Sequence, residues 1–163
     1  MLWTSAPIAS SGNKHWTLCY AGSSDAYNFR SSCLDKGPTV TVAKESTKNG
    51  IYGGYTPLPW SALPGSEQSY DKSDSTIFTF RLTDRVNGTT NEFKQCFDDT
   101  ATPGQLMLDY DGLGPCFGNR AFCLSGSDVF FNDEYADMQV GCATSDRVVE
   151  TKPYQRFEVY YLA

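Results

Sequence analysis

One stretch narrows the fold more than any other. From Phe29 to Trp60 the chain reads FRSSCLDKGPTVTVAKESTKNGIYGGYTPLPW. Thr39 to Ala43 alternates like a strand, the chain turns through Lys48-Asn49-Gly50, and the pattern resumes at Ile51-Tyr52. Asn-Gly supplies the positive φ values that a tight antiparallel turn needs, so a β-hairpin is expected here. Gly53 and Gly54 lack Cβ atoms, which lets an aromatic ring or another backbone come close. Upstream, Ser23-Ser24-Asp25 offers an N-cap, and Ala26, Phe29 and Cys33 fall on one helical face. Gly37-Pro38 is expected to end that short helix.

Other segments repeat the strand signal. In HWTLCY (His15 to Tyr20), Trp16, Leu18 and Tyr20 alternate with Thr17 and Cys19. In TIFTFRL, Phe78, Phe80 and Leu82 form an aromatic face expected to point inward. Leu106 to Tyr110, Ala121 to Leu124 and Val129 to Phe131 read as further strands, and Glu92 to Phe97 as a short helix or irregular strand. Ser61 to Ser75 is polar and reads as an exposed loop, acidic Asn132 to Gln139 as a loop or one helical turn, and Val140 to Cys142 as an extension of the sheet. The closing YQRFEVYYL, Tyr154 to Leu162, places Phe157, Val159 and Tyr161 on one face and Glu158 and Tyr160 on the other. So apolar a strand belongs in the middle of a sheet rather than at its edge. With 10 Tyr, 10 Phe, 14 Gly and 8 Pro, the composition agrees with a mainly β domain.

The length of 163 residues fits one domain, with 1–14 as a flexible lead-in and 15–163 as the folded unit. A net charge of −6, with no basic run, gives nucleic acid no footprint and an anionic membrane surface little attraction. No apolar run is long enough to span a bilayer, so membrane insertion is not expected. The first residues lack the charged-then-apolar order of a signal peptide, which fits an intracellular chain or one whose signal has been removed.

Chemistry-bearing motifs are sparse. Cys19, Cys33, Cys96, Cys116, Cys123 and Cys142 form no Cys-x-x-Cys, and His15 is the single histidine, so zinc ligation lacks its usual spacing. An even count fits disulfides, whose pairing spacing does not decide. Cys116 and Cys123 flank GNRAF closely enough for a local clamp, while Cys33 reads equally as a small buried hydrophobe. Asp109, Asp111 and Asn132-Asp133-Glu134 could offer oxygens to calcium, but the EF-hand spacing is missing and solvated turn carboxylates explain them better. No metal and no cofactor is expected. A hydrolase needs a nucleophile beside a base. Ser23 or Ser24 against Glu158 would lack an intervening histidine, and no Gly-x-Ser-x-Gly exists. Asn87-Gly88-Thr89 is a glycosylation sequon on a predicted turn. Tyr52, Tyr55, Trp60, Tyr160 and Tyr161 are candidates for a protein- or sugar-binding face, although core packing accounts for such rings too.

Taken in order, LCYAGSSDAYNF, FRSSCLDKGPTVTVAK, Gly53-Gly54-Tyr55 with Trp60, IFTFRL, GPCFG (Gly114 to Gly118) and FEVYYL resemble the TLDc domain, the module shared by oxidation-resistance proteins and their relatives. The resemblance runs from about Trp16 to Leu162. It implies a two-sheet antiparallel β-sandwich with one or two short helices, working as a non-enzymatic interaction module. Members of that family are linked to protection against oxidative stress and to binding the vacuolar proton pump, and no accepted catalytic mechanism accompanies the fold. The cysteines beyond Cys33 match nothing assignable in the family pattern. The expectation is therefore an extracellular, disulfide-stabilised module that binds a protein partner or self-assembles. The alternatives are a cytoplasmic stress-protection domain, a glycan binder and a weak hydrolase.

Overall fold

The structure is a computed structural model and describes residues 14–23, 28–46, 51–61, 70–74, 76–83, 92–96, 105–109, 114–117, 122–125, 128–132 and 149–163. In chain order these form β1 (Trp16–Gly22), α1 (Phe29–Cys33), β2 (Thr39–Glu45), β3 (Ile51–Thr56), β4 (Tyr70–Asp74) and β5 (Phe78–Thr83). There follow β6 (Glu92–Cys96), β7 (Gln105–Asp109), β8 (Cys116–Phe117), β9 (Phe122–Ser125), β10 (Asp128–Asn132) and β11 (Val149–Leu162). Every pairing between these strands is antiparallel.

The strands make two sheets that share β11. Its first part, Val149 to Pro153, pairs with β10, which continues through β9, β8 and β7 to β4. Its second part pairs with β2 on one side, leading through β3 and β5 to β6, and with β1 on the other. The closing strand is thus central, as its apolar pattern implies. The hairpin register sets Val42 opposite Gly53 and Thr41 opposite Gly54.

Between the sheets lies the main core. Phe157 and Val159 from β11, Ala43 from β2 and Tyr52 from β3 meet Phe117, Phe122 and Leu124 from the facing sheet, with Phe29 and Cys33 of α1 closing one end. Trp60 sits at the centre, edge-on to Phe29 at 5.0 Å and to Phe117 at 5.9 Å. Its indole N–H donates to Thr39 Oγ1 at 3.0 Å, which removes the cost of burying that polar tip. Each fully buried aromatic of this kind contributes roughly 1.5–3 kcal/mol by leaving water. Gly54 lets the halves close up: a Cβ there would lie 2.5 Å from the Phe117 ring. Gly53 does the same on the reverse of the sheet, where the Phe80 ring covers it.

That reverse face carries a second cluster: Val40, Val42 and Phe80 are buried, with Trp16, Ile51, Tyr55 and Phe78 partly buried around them. Phe78 and Phe80 therefore do not point into the space between the sheets. Ile77, just before β5, occupies the main core instead.

Several local expectations are corrected. The helix begins at Asn28, which makes no side-chain cap, rather than at Ser23 to Asp25, and it ends at Leu34, before Gly37-Pro38. Asp35 then takes a left-handed φ of 55°, which a short polar side chain tolerates, and its N–H donates to the Trp60 carbonyl at 2.9 Å. The Gly37-Pro38 peptide is cis. Tyr70 to Asp74, expected in a loop, pairs with β7 as a strand. Of the two alternatives for Glu92 to Phe97, the strand is the one present, over Glu92–Cys96. In β1 a bulge between Leu18 and Tyr20 breaks the simple alternation. Tyr20 consequently packs on Phe157 at 5.0 Å, while Leu18 is left facing solvent. The turn at 47–50, the lead-in 1–13 and the acidic stretch 133–140 lie outside the described residues.

Candidate functional site

Two features of the β1–β11 region bear on function: a buried carboxylate and a β1 edge that no other strand among the described residues covers. Strand alternation puts Arg156, Glu158 and Tyr160 on the reverse face of β11. Glu158 is 1% exposed, so its charge needs compensation inside the protein. Arg156 Nε donates to Glu158 Oε1 at 2.9 Å, and the Tyr160 hydroxyl donates to Oε2 at 2.5 Å. Arg156 keeps 47% of its side chain in solvent, so the pair connects the buried acid to the surface. Burial, then the hydrogen bond and charge of Glu158, push the Tyr160 phenol well above its ordinary pKa, with Arg156 opposing weakly. The directly opposed residues, Val42 on β2 and Ala21 on β1, bring no titratable group.

This arrangement suits a structural tie better than a catalyst. Each carboxylate oxygen already accepts a bond, and the group is sealed from any substrate. Ser23 follows Gly22, the partner of Phe157, and is exposed; Ser24 lies outside the described residues. His15 exchanges backbone hydrogen bonds with Ala163, at 3.4 and 3.0 Å. That places it about 17 Å along β11 from Glu158, so it cannot stand between that acid and a serine.

The aromatic candidates divide. Tyr52 is 7% exposed in the main core and Trp60 is fully buried, so neither can present a ring to a partner. Tyr160 is 7% exposed and engaged with Glu158. Of the five candidates only Tyr55 and Tyr161 reach the surface in part; Tyr55 is stacked on Phe78 at 5.2 Å, its phenol pushed up by burial and by Asp74. Asp74 is itself held below the usual carboxylate range by the Thr76 hydroxyl and N–H, which donate to it at 2.6 and 2.8 Å. Tyr161 is half-buried beneath the Lys36 ammonium, 4.6 Å above its ring.

Four cysteines are placed. Cys19 on β1 is bonded to Cys33 of α1, and Cys116 to Cys123 across the β8–β9 pair. The local clamp is present, and buried Cys33 is also a bridge partner. The Cys96 backbone ends β6, and Cys142 and Asn87 lie outside the described residues, as do Asp111, Asp133 and Glu134. Asp109 and Asn132 end β7 and β10. Among the described residues no three His, Cys, Asp or Glu side chains gather as a metal site would require.

Sequence reasoning missed Leu18. Among the described residues it is the one large hydrophobic that is exposed, at 45%. Alternation groups it with Trp16 and Tyr20, and nothing in HWTLCY announces the bulge that separates them.

The described strands form an antiparallel sandwich whose buried acid is tied to Arg156 and Tyr160. The family model for the TLDc domain matches residues 1–160, nearly the whole chain, and the protein belongs to that family. No curated protein matches it. Membership suggests a protein-interaction or oxidative-stress-related module.

Proposed function

We propose that this protein is a non-enzymatic TLDc module that binds a protein partner in an oxidising compartment. The observation that carries the reading is the contrast between a sealed centre and an apolar edge. Glu158 is satisfied and buried, whereas Leu18 faces water beside half-buried Trp16. A strand edge that carries unpaired main-chain groups is a template for pairing with another chain. A sugar platform needs an exposed ring face, and three of the five aromatic candidates are buried and the other two half-buried, which favours protein over glycan. The two bridges, Cys19–Cys33 and Cys116–Cys123, are compatible with secretion and weigh against the alternative of a cytoplasmic stress-protection domain acting on a proton pump.

Two measurements test this. Intact mass of native protein, with and without reductant, should rise by about two mass units per bridge, and freely alkylatable Cys19, Cys33, Cys116 and Cys123 would overturn the compartment. A panel of ester, peptide and glycoside substrates should show no turnover. Turnover that vanishes in His15→Ala would defeat the non-enzymatic reading.

A further inference from the structure

The open side of β1 has a definite polarity. His15 and Ala163 exchange both backbone hydrogen bonds, so they form a hydrogen-bonded antiparallel pair. The pair after it, Trp16 with Leu162, is then of the non-bonded kind, and so is Leu18 with Tyr160. Leu162 confirms the phase, because its N–H donates away from β1, to the Pro38 carbonyl at 3.0 Å. The N–H and C=O groups of Trp16 and Leu18 therefore face outward from β11, along the edge where Leu18 is exposed. The bulge after Leu18 ends this ladder. Two rungs remain, too short a template for open-ended stacking but enough for a bounded strand.

Charge indicates what would lie there. The chain carries −6 overall, yet the end of β1 carries Lys14 and His15, both exposed. Lys36 sits one strand inward, over Tyr161. Asp35 is the exposed acid beside it, and Glu158 is buried and paired with Arg156. A second copy would set −6 against −6, and a stable dimer buries on the order of 1,200 Å² or more, which two rungs do not supply.

We infer that the Trp16–Leu18 edge of β1 accepts a short extended acidic segment of a partner protein as an added antiparallel strand. This rests on the protein-binding reading above and names the partner's chemistry. Main-chain bonds to Trp16 and Leu18 hold the segment. An apolar side chain packs on Leu18; the alternate side chains, carboxylates, lie on the Thr17–Tyr161 face where Lys36 sits, with exposed Lys14 at the end of the strand.

The test uses fluorescence anisotropy with a labelled decapeptide of alternating Glu and Val, the full chain in oxidising buffer, and size exclusion in parallel. Saturable binding that weakens with salt is expected, at least tenfold tighter than for the Lys–Val counterpart. N-methylation of alternate peptide nitrogens should cost tenfold or more. Leu18→Pro, which removes an outward N–H and no bond to β11, should do the same while keeping the parent's circular dichroism; if it does not fold, the N-methylated peptide decides alone. Lys14→Glu with Lys36→Glu should abolish the preference for the acidic peptide. Absence of saturable binding, or equal binding of the N-methylated peptide, overturns the inference. A concentration-dependent dimer lost in Leu18→Pro also overturns it, by giving the edge to a second copy. The protein-binding reading survives either result and falls only to the turnover test.

Discussion

Removing the Cys19–Cys33 bridge by a double alanine substitution should lower stability by an amount that chain entropy sets. The two residues are 14 apart, and opening a loop of that size frees about 3 kcal/mol of denatured-state entropy. For 163 residues at ~2.1 cal/mol/K each, the entropy of unfolding is roughly 340 cal/mol/K, so Tm should fall by about 9 °C. The Cys116–Cys123 bridge spans only 7 residues, and the same relation gives about 2.4 kcal/mol, or about 7 °C. The ordering has a structural corollary. Cys33 is the fully buried end of α1, and its bridge ties a five-residue helix with no side-chain cap to β1. So short a helix does not persist alone in water. Amide exchange over Phe29 to Cys33 should rise in the Cys19→Ala/Cys33→Ala protein and stay unchanged in the Cys116→Ala/Cys123→Ala protein. Calorimetry with each pair removed separately makes the comparison. A drop under about 2 °C for the first pair, or a clearly larger drop for the second, would refute the loop-entropy reasoning.

Other substitutions probe the packing and the buried acid. Gly54→Ala and Gly53→Ala should each cost about 1–3 kcal/mol in urea unfolding, with Gly53→Ala the worse because its methyl would meet the Thr41 carbonyl as well as the Phe80 ring. Glu158→Ala should cost about 1–3 kcal/mol by leaving the Tyr160 hydroxyl unpaired, while Arg156, half in solvent, can turn to water. Tyr160 has its folded pKa raised above the ordinary value of 10.0, so its contribution is intact below about pH 10 and is lost as pH climbs toward the folded value. Stability measured from pH 9 to 12 should therefore decline less steeply in Tyr160→Phe. Thr41 Oγ1 is buried with no hydrogen-bond partner, so Thr41→Val should raise stability by up to about 1 kcal/mol, and a loss in the urea midpoint would contradict that.

What the amino-acid order disclosed, and what it hid, follows from the range of the forces involved. Asn49-Gly50, the alternation of TVTVA and the apolar closing strand act locally or through a period of two, and each strand they imply is present. The close approach at Gly53-Gly54 is equally legible, because a missing Cβ in a strand has few other uses. Tyr70 to Asp74 was not, since its strand exists only through pairing with β7, some 35 residues on, and its own residues are those of a loop. The aromatic face of β5 shows a subtler limit. Alternation reveals that Phe78 and Phe80 share a face but not which face of a two-sided sheet, and here both faces hold apolar clusters. For the same reason Tyr52, Trp60 and Tyr160 could not be told from surface aromatics: a ring that fills a core and a ring that meets a partner look alike in one dimension.

The buried ion pair and the open edge are consequences of the same strand. β11 passes through both sheets, so its register decides which residues enter the core of each. A slip by one residue would bring Phe157 and Val159 to the reverse face and carry Arg156, Glu158 and Tyr160 together between the sheets, where Arg156 would lose the solvent that 47% of its side chain now keeps. An ion pair that reaches water in one register and is wholly buried in the other specifies alignment even where it adds little net stability. With β11 so fixed, its pairing with β1 is fixed too. The extra residue between Leu18 and Tyr20 then turns Tyr20 onto Phe157 while Leu18 stays in solvent. The interior acid and the outward leucine, neither of which suits a simple alternating strand, are in this way two ends of one constraint.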